Sequence, residues 1–377
     1  MASSNLVSSP VLLALAAFCL LFLQPHPSNA NSLTTCHFDK IYQLGDSVSD
    51  TGNLIREKPI GAATAFARLP YGETFFKHAT GRTSNGRLMI DFIASASGLP
   101  FLNPYLKKDA NFRNGVNFAV AGSTALPVDF LAKENIIVQL ITNSSLHVQL
   151  DWMSKHFTKG VKSITDCLEK PNNTLFIVGV FGGNDYNYAS ASGKTLQEIN
   201  AMVPEVVNSV VIGVKRVISV GGTRVVVPGI FPFGCFPLYL TAFQTNDSTA
   251  YDKDKCLKEL NSFSKYHNGK LQEAIQELKR EYPHVVIVYG DYYHAFEWLY
   301  NHAVHLGFDG ASTQKACCGI GGDYNFNFTM VCSAETPVCS NPNQFISWDG
   351  AHLTEAANKR MAGWLIDDML PKLHCYN

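Results

Sequence analysis

Long apolar runs are missing from this chain: the stretch 11–23 is uninterrupted but has only 13 residues, too short to cross a bilayer as a helix. Net charge is nearly missing too. At −1 over 377 residues there is no electrostatic footprint for nucleic acid or an anionic lipid surface, which points to small or neutral molecules as partners. No C-x-x-C pair occurs, and the closely spaced His302 and His305 lack the acidic companion of a zinc helix, so neither a structural metal nor a cofactor is expected. Repeats, low-complexity tracts and a linker that would split the chain are all absent. So is G-x-S-x-G, which removes the conventional α/β-hydrolase nucleophile elbow.

Lys, Arg, Asp and Glu are also absent from residues 1–30. The apolar run inside that segment, followed by Pro25, Pro27 and the small residues Ser28-Asn29-Ala30, reads as a secretory signal peptide, leaving 31–377 as one domain. Secretion, with the outside of the cell or the vacuole as destination, agrees with four N-x-Ser/Thr acceptors at Asn143, Asn172, Asn246 and Asn327. Ten cysteines less Cys19 in the signal leave nine, an odd number. Cys317, Cys318, Cys332 and Cys339 cluster late and suggest a disulfide-braced loop; which thiol is left over is not legible.

Five short apolar runs, 40–44, 116–121, 174–181, 223–230 and 284–289, are bounded by turn residues, and the last three are nearly continuous in Val, Ile, Leu and Phe. Helical patterns alternate with them. In 202–220, Val203, Val206, Val207, Val210, Val214, Val217 and Ile218 share one face, and 257–280 repeats the pattern. Strands alternating with helices predict a three-layer α/β/α fold on a parallel five-stranded sheet. The extra length lies in irregular segments at 51–115, 231–256 and 291–348, beyond the carboxyl ends of strands, where open α/β sheets build their ligand pockets.

The residues with chemistry sit at those ends. Ser47 follows the first strand in KIYQLGDSVSDTGN, on a strand-to-helix turn that Ser49 and Asp50 are placed to cap, so its hydroxyl and its own N–H face the same space. A serine needs a base, and the base needs a carboxylate to fix its tautomer. Two D-x-x-H pairs occur, and spacing does not choose between them. Asp349 and His352, in SWDGAHLTEAAN, open the last amphipathic segment, whereas Asp291 and His294 follow the fifth strand directly and read as structural. For the oxyanion of an acyl-transfer intermediate, Ser47 offers its N–H, Gly122 in GVNFAVAGSTAL another, and Asn184 in FGGNDYNY a side-chain amide.

Ser47, Gly122, Asn184 and His352, in that order and each after a strand or in the final loop, resemble the four blocks of the GDSL esterase/lipase (SGNH hydrolase) family. Val48 stands where the family name has Leu, a conservative change. VVVPGIFPFGCFPLYL, YDKDKCLKELNSFSKYHN and ACCGIGGDYNFN are similar to its plant branch, so the resemblance covers essentially the whole mature chain. It implies a flavodoxin-like SGNH fold and a secreted carboxylic-ester hydrolase with catalytic Ser47, Asp349 and His352 and an oxyanion hole of Ser47, Gly122 and Asn184. The implied substrates are small esters, of the kind plant members cleave from alkaloids or hydroxycinnamates. The same acyl-enzyme would also serve an acyltransferase passing its acyl group to an alcohol, and a non-catalytic secreted binding protein could keep the fold. Phe181, Tyr186, Tyr188, Phe231 and Phe233 follow the third and fourth strands and are candidates for an aromatic pocket. Oligomeric state is left open.

Overall fold

Parallel strands need long crossovers, and this chain supplies them as helices. The computed structural model describes residues 32–138, 141–158 and 173–375. Its strands are β1 (Lys40–Leu44), β2 (Gly115–Asn117), β3 (Thr174–Val178), β4 (Arg224–Pro228) and β5 (Val286–Gly290). They form one all-parallel sheet in the order β2-β1-β3-β4-β5. The helices are α1 (Met89–Ala96), α2 (Val128–Lys133), α3 (Leu146–Thr158), α4 (Gly183–Ala191), α5 (Leu196–Ser219), α6 (Pro237–Ala242), α7 (Lys258–Glu281), α8 (Tyr292–Asn301) and α9 (Glu355–Met369).

Helix α5 packs on α3 and α7, while α9 packs on α1 and α8. These two sets flank the sheet and bury it from both sides: every residue of β3 is buried, and Ile41, Leu44, Val225 and Val227 are wholly so. The valine face expected of 202–220 is the buried face of α5, which begins six residues earlier because Thr195 caps it and Glu198 returns the hydrogen bond. Three strands are shorter at their carboxyl ends than the apolar runs suggest. β2 stops at Asn117, whose side chain bonds the Ala119 N–H and the Ser49 carbonyl; Phe118 and Val120 still donate to the Gln43 and Gly45 carbonyls, so the segment past the strand braces the loop after β1. β3 stops before Gly179, which at φ 143° adopts a conformation closed to other residues.

The sheet order reverses at β1, which lies between β2 and β3, so the loops after these three strands meet at one crevice. Four disulfides brace the periphery: Cys36–Cys375 joins the two ends of the domain, Cys235–Cys256 closes the loop after β4, and Cys317–Cys339 with Cys318–Cys332 hold the late loop. The ninth cysteine, Cys167, lies outside the described residues, as do the segment read as a signal peptide and Asn172. Asn143, Asn246 and Asn327 are exposed. No helix among the described residues is long and apolar enough to cross a membrane, and no cluster of three His, Cys, Asp or Glu among them is arranged to hold a metal ion.

The long insertion after β1 is anchored by a buried ion pair. Arg82 meets Asp91 through two parallel hydrogen bonds of 2.8 and 2.7 Å, with side-chain exposures of 7% and 0%. Asp91 also accepts the Leu88 N–H that opens α1. Asp91→Ala strands the guanidinium without a counter-charge, and the expected loss is about 3–5 kcal/mol of unfolding free energy, read from urea denaturation.

Candidate active site

The turn after β1 is held from below. Gln149 of α3, fully buried, accepts the Gly45 N–H at 2.9 Å and donates to the Gly45 carbonyl at 2.8 Å, so the peptide groups on both sides of Gly45 are fixed. A Cβ at Gly45 would collide with the Ser49 hydroxyl and come within 2.6 Å of the Gly179 carbonyl, which is why only glycine fits. Asp46 closes the turn by accepting the Ser49 and Asp50 amides. The helix expected to open at Ser49 and Asp50 does not form. Instead the Asp50 carboxylate takes the amides of Gly52, Asn53 and Leu54, Gly52 sits at φ 128°, and the chain reaches only a short 3-10 turn at Leu54–Arg56. Ser47 thus rides on a turn, and Thr83 donates to its carbonyl at 2.7 Å.

Opposite stands His352. Its Nδ1 is 2.7 Å from Asp349 Oδ2 and its Nε2 is 2.9 Å from Ser47 Oγ, across 305 residues of sequence. With the Nδ1 proton donated to the carboxylate, Nε2 is free to accept from the serine hydroxyl. Asp349 is saturated: Oδ1 accepts the Ala351 and His352 amides, and Oδ2 also accepts the Tyr71 hydroxyl at 2.8 Å. Burial pushes the Asp349 carboxyl up, but the His352 charge and these donors outweigh it and hold the pKa below the usual carboxylate value. Burial likewise pulls His352 down, yet the charge and hydrogen bond of Asp349, with Asp46 adding to them, hold its pKa above the ordinary 6.5. Asp46 itself is pushed up to about 7 by burial, against the Val48 N–H and the His352 charge.

Gly122 lies at φ 85°, where a Cβ would press on the Ile141 side chain at 3.0 Å and the Tyr188 hydroxyl at 3.1 Å. Asn184 spends one amide hydrogen on the Ser123 carbonyl at 2.9 Å, which aims the other. The N–H groups of Ser47 and Gly122 donate to no acceptor among the described residues. Ser47, Gly122, Asn184 and His352 all line one cleft of about 180 Å³ with mainly apolar walls. A hydroxyl paired with an oriented imidazole, three donors and an apolar-walled cleft are the parts acyl transfer requires.

Residues 41–365 match the family model described as GDSL-like Lipase/Acylhydrolase. The chain belongs to that family. Acetylajmalan esterase 2 of Rauvolfia serpentina is 47% identical over 345 residues, covering 91% of this chain and 94% of the relative. Acetylajmalan esterase 1 of the same plant is 46% identical over 341 residues, covering 90% and 89%. A GDSL esterase/lipase of Arabidopsis thaliana is 43% identical over 344 residues, covering 90% and 86%. The protein is a carboxylic-ester hydrolase.

In this GDSL enzyme the other D-x-x-H pair has a structural place. Asp291 caps α8 by accepting the His294 N–H, and the exposed imidazole folds back on the same carboxylate. Of the candidate pocket aromatics, Phe231 and Phe233 line the cleft and Tyr186 lines a neighbouring cavity. Phe181 is core, and Tyr188 donates to the Gly122 carbonyl. Sequence reasoning missed Tyr71, Thr83 and Gln149. Tyr71 and Thr83 fall in the Gly-, Arg- and aromatic-rich insertion that marked a pocket wall; Gln149, one polar residue in a helical pattern, carried no signal.

Followed by NMR of the histidine Cε1–H, His352 is expected to titrate with a midpoint above 6.5, because Asp349 stabilises the imidazolium. Asp349→Asn removes that charge and leaves burial in control, so the midpoint should fall.

Proposed function

We propose that this esterase works by a Ser47–His352–Asp349 triad on esters of short acids, within a secretory route. The observation that carries the reading is the single hydrogen-bonded line from Asp349 through the imidazole to Ser47 Oγ, with both steps below 3 Å. Ser47 Oγ attacks the ester carbonyl as His352 Nε2 takes its proton, and Asp349 stabilises the imidazolium. The oxyanion meets the N–H groups of Ser47 and Gly122 and the Asn184 amide, each worth roughly 3 kcal/mol of barrier. His352 returns the proton to the departing alcohol oxygen, leaving acyl-Ser47. Water, deprotonated by the same imidazole, then attacks the acyl carbonyl, and His352 returns that proton to Ser47 Oγ as the C–Oγ bond breaks and the acid leaves. Relatives named for an acetylated substrate support a short acyl group.

Ser47→Ala and His352→Ala are expected to lower kcat/KM on p-nitrophenyl acetate by orders of magnitude, and Ser47→Ala to abolish fluorophosphonate labelling, while His294→Ala stays near wild type. Because His352 acts neutral and its pKa is raised, kcat/KM should fall on acidification with a midpoint above 6.5. Loss of turnover in His294→Ala with retention in His352→Ala would reverse the assignment.

The uncharged apolar leader, four disulfides and exposed acceptors at Asn143, Asn246 and Asn327 support secretion. Protein isolated from its native tissue should drop in apparent mass on glycosidase digestion; an unchanged mass counts against glycosylation on that route.

A further inference from the structure

Three successive residues tie the helix that carries Asn184 to its surroundings. Asn184 bonds the Ser123 carbonyl and Asp185 accepts the Ala125 and Leu126 amides, so both hold α4 to the segment after β2. Tyr186 reaches the other way. Its hydroxyl lies 2.7 Å from Nδ1 of His267 on α7, and its ring meets that of Phe263, one turn earlier on α7, edge to face with centres 4.8 Å apart. The imidazole also fills the space beside the residue that opens α4: a Cβ on Gly182, at φ 109°, would come within 3.1 Å of His267 Cε1 and 3.2 Å of the Tyr186 ring. His267 thus engages α4 two residues before Asn184 and two residues after it.

The pair is costly to keep. Tyr186 and His267 are buried, and His267 Nε2 has no hydrogen-bond partner. Burial pulls the His267 pKa down to about 3, so the ring is neutral. In either tautomer Nε2 is left unmet, and a buried polar atom in that condition lowers stability. Two apolar rings would fill the same space without the loss, so stability does not explain the pair. What the bond supplies is position. Ring contacts tolerate sliding, whereas a hydrogen bond of this length sets where along α7 the first turn of α4 sits.

We propose that the Tyr186–His267 bond is a positioning device for the oxyanion hole, holding the first turn of α4 so that the free amide hydrogen of Asn184 is aimed at the developing oxyanion. This rests on the reading of Asn184 as an oxyanion donor and adds to it two residues, neither of which lines the cleft. The oxyanion forms in acylation and again in deacylation, so a misplaced donor slows both steps and lowers kcat while KM stays near its wild-type value.

The test is a double-mutant cycle on the full-length protein with p-nitrophenyl acetate. Tyr186→Phe/His267→Phe removes both polar partners and keeps both rings. The expected result is a fall of about tenfold in kcat with KM within about twofold, an acid-limb midpoint unchanged because the triad is untouched, and a melting temperature at or above wild type. In an Asn184→Ala background the same pair of changes should cost less than about twofold, since the donor they position is gone. An unchanged kcat in the pair variant overturns the inference, and so does an equal loss with and without Asn184, because the pair then acts on something else. Tyr186→Phe/His267→Leu, with a smaller side chain beside Gly182, is the second variant; failure of both to fold makes the pair structural and overturns the inference too. Asn184→Ala alone separates the two levels. If it leaves kcat near wild type, the oxyanion reading of Asn184 fails and takes this inference with it; if it costs a large factor while the pair variant costs nothing, only the positioning role fails.

Discussion

The carboxylate of Asp50 is the constraint around which this site is built. It is fully buried and accepts four backbone amides, those of Gly52, Asn53 and Leu54 on its own loop and that of Ala121 from the loop after β2. A buried carboxylate survives only where donors replace its water, and here the donors come from the two loops that carry Ser47 and Gly122. The turn that carries Ser47 and the loop that carries Gly122 are therefore fixed relative to one another by a single group. Asn53 adds to this through hydrogen bonds to the carbonyls of Asn117 and Ala119. Asp185 repeats the device between the third and second loops by accepting the Ala125 and Leu126 amides.

The other half of the site arrives from the far end of the chain, and a different set of contacts holds it. Arg87 binds the Glu355 carboxylate with its backbone N–H and its guanidinium, and Asn85 accepts the Glu355 N–H, so the first turn of α9 is docked on the insertion after β1. Two residues from Asn85, Thr83 holds the Ser47 carbonyl. One segment, 83–87, thus touches both the serine turn and the residues that follow His352. Tyr71, earlier in the same insertion, reaches Asp349. In the triad proposed above, an imidazole displaced by even 1 Å loses much of its value as a base, which gives this bracing its weight.

The fold class was legible, and so was the set of residues that the fold gathers at one cleft, because both leave local signatures. Apolar runs of strand length alternate with helical valine faces, and a serine, a glycine, an asparagine and an Asp-His pair each follow such an element. The bracing residues were not legible. Gln149, Tyr71 and Asn85 act through one long-range hydrogen bond or two, and nothing in their neighbours' periodicity marks a partner more than a hundred residues or a strand away. The helix expected after Ser47 failed for a related reason. Capping residues are recognised by type, but whether Asp50 caps a helix or ties two loops together depends on where Ala121 lies in space.

Chemistry and selectivity occupy different material here. Ser47, Gly122 and the Asp349–His352 pair sit on turns tied down by buried carboxylates and amides, where low dielectric makes each fixed dipole count and leaves little freedom to vary. The cavity walls beside these turns come from the loop and helix after β4 and from the faces of α4 and α7, whose side chains contact one another mainly through rings. Exchanging one ring for another there alters shape without stranding a buried charge, whereas exchanging Asp50 or Asp349 leaves several donors unsatisfied. A scaffold divided in this way can change the shape of its apolar walls while Ser47, His352 and Asp349 stay in register. That separation follows from which of its contacts are polar and which are apolar.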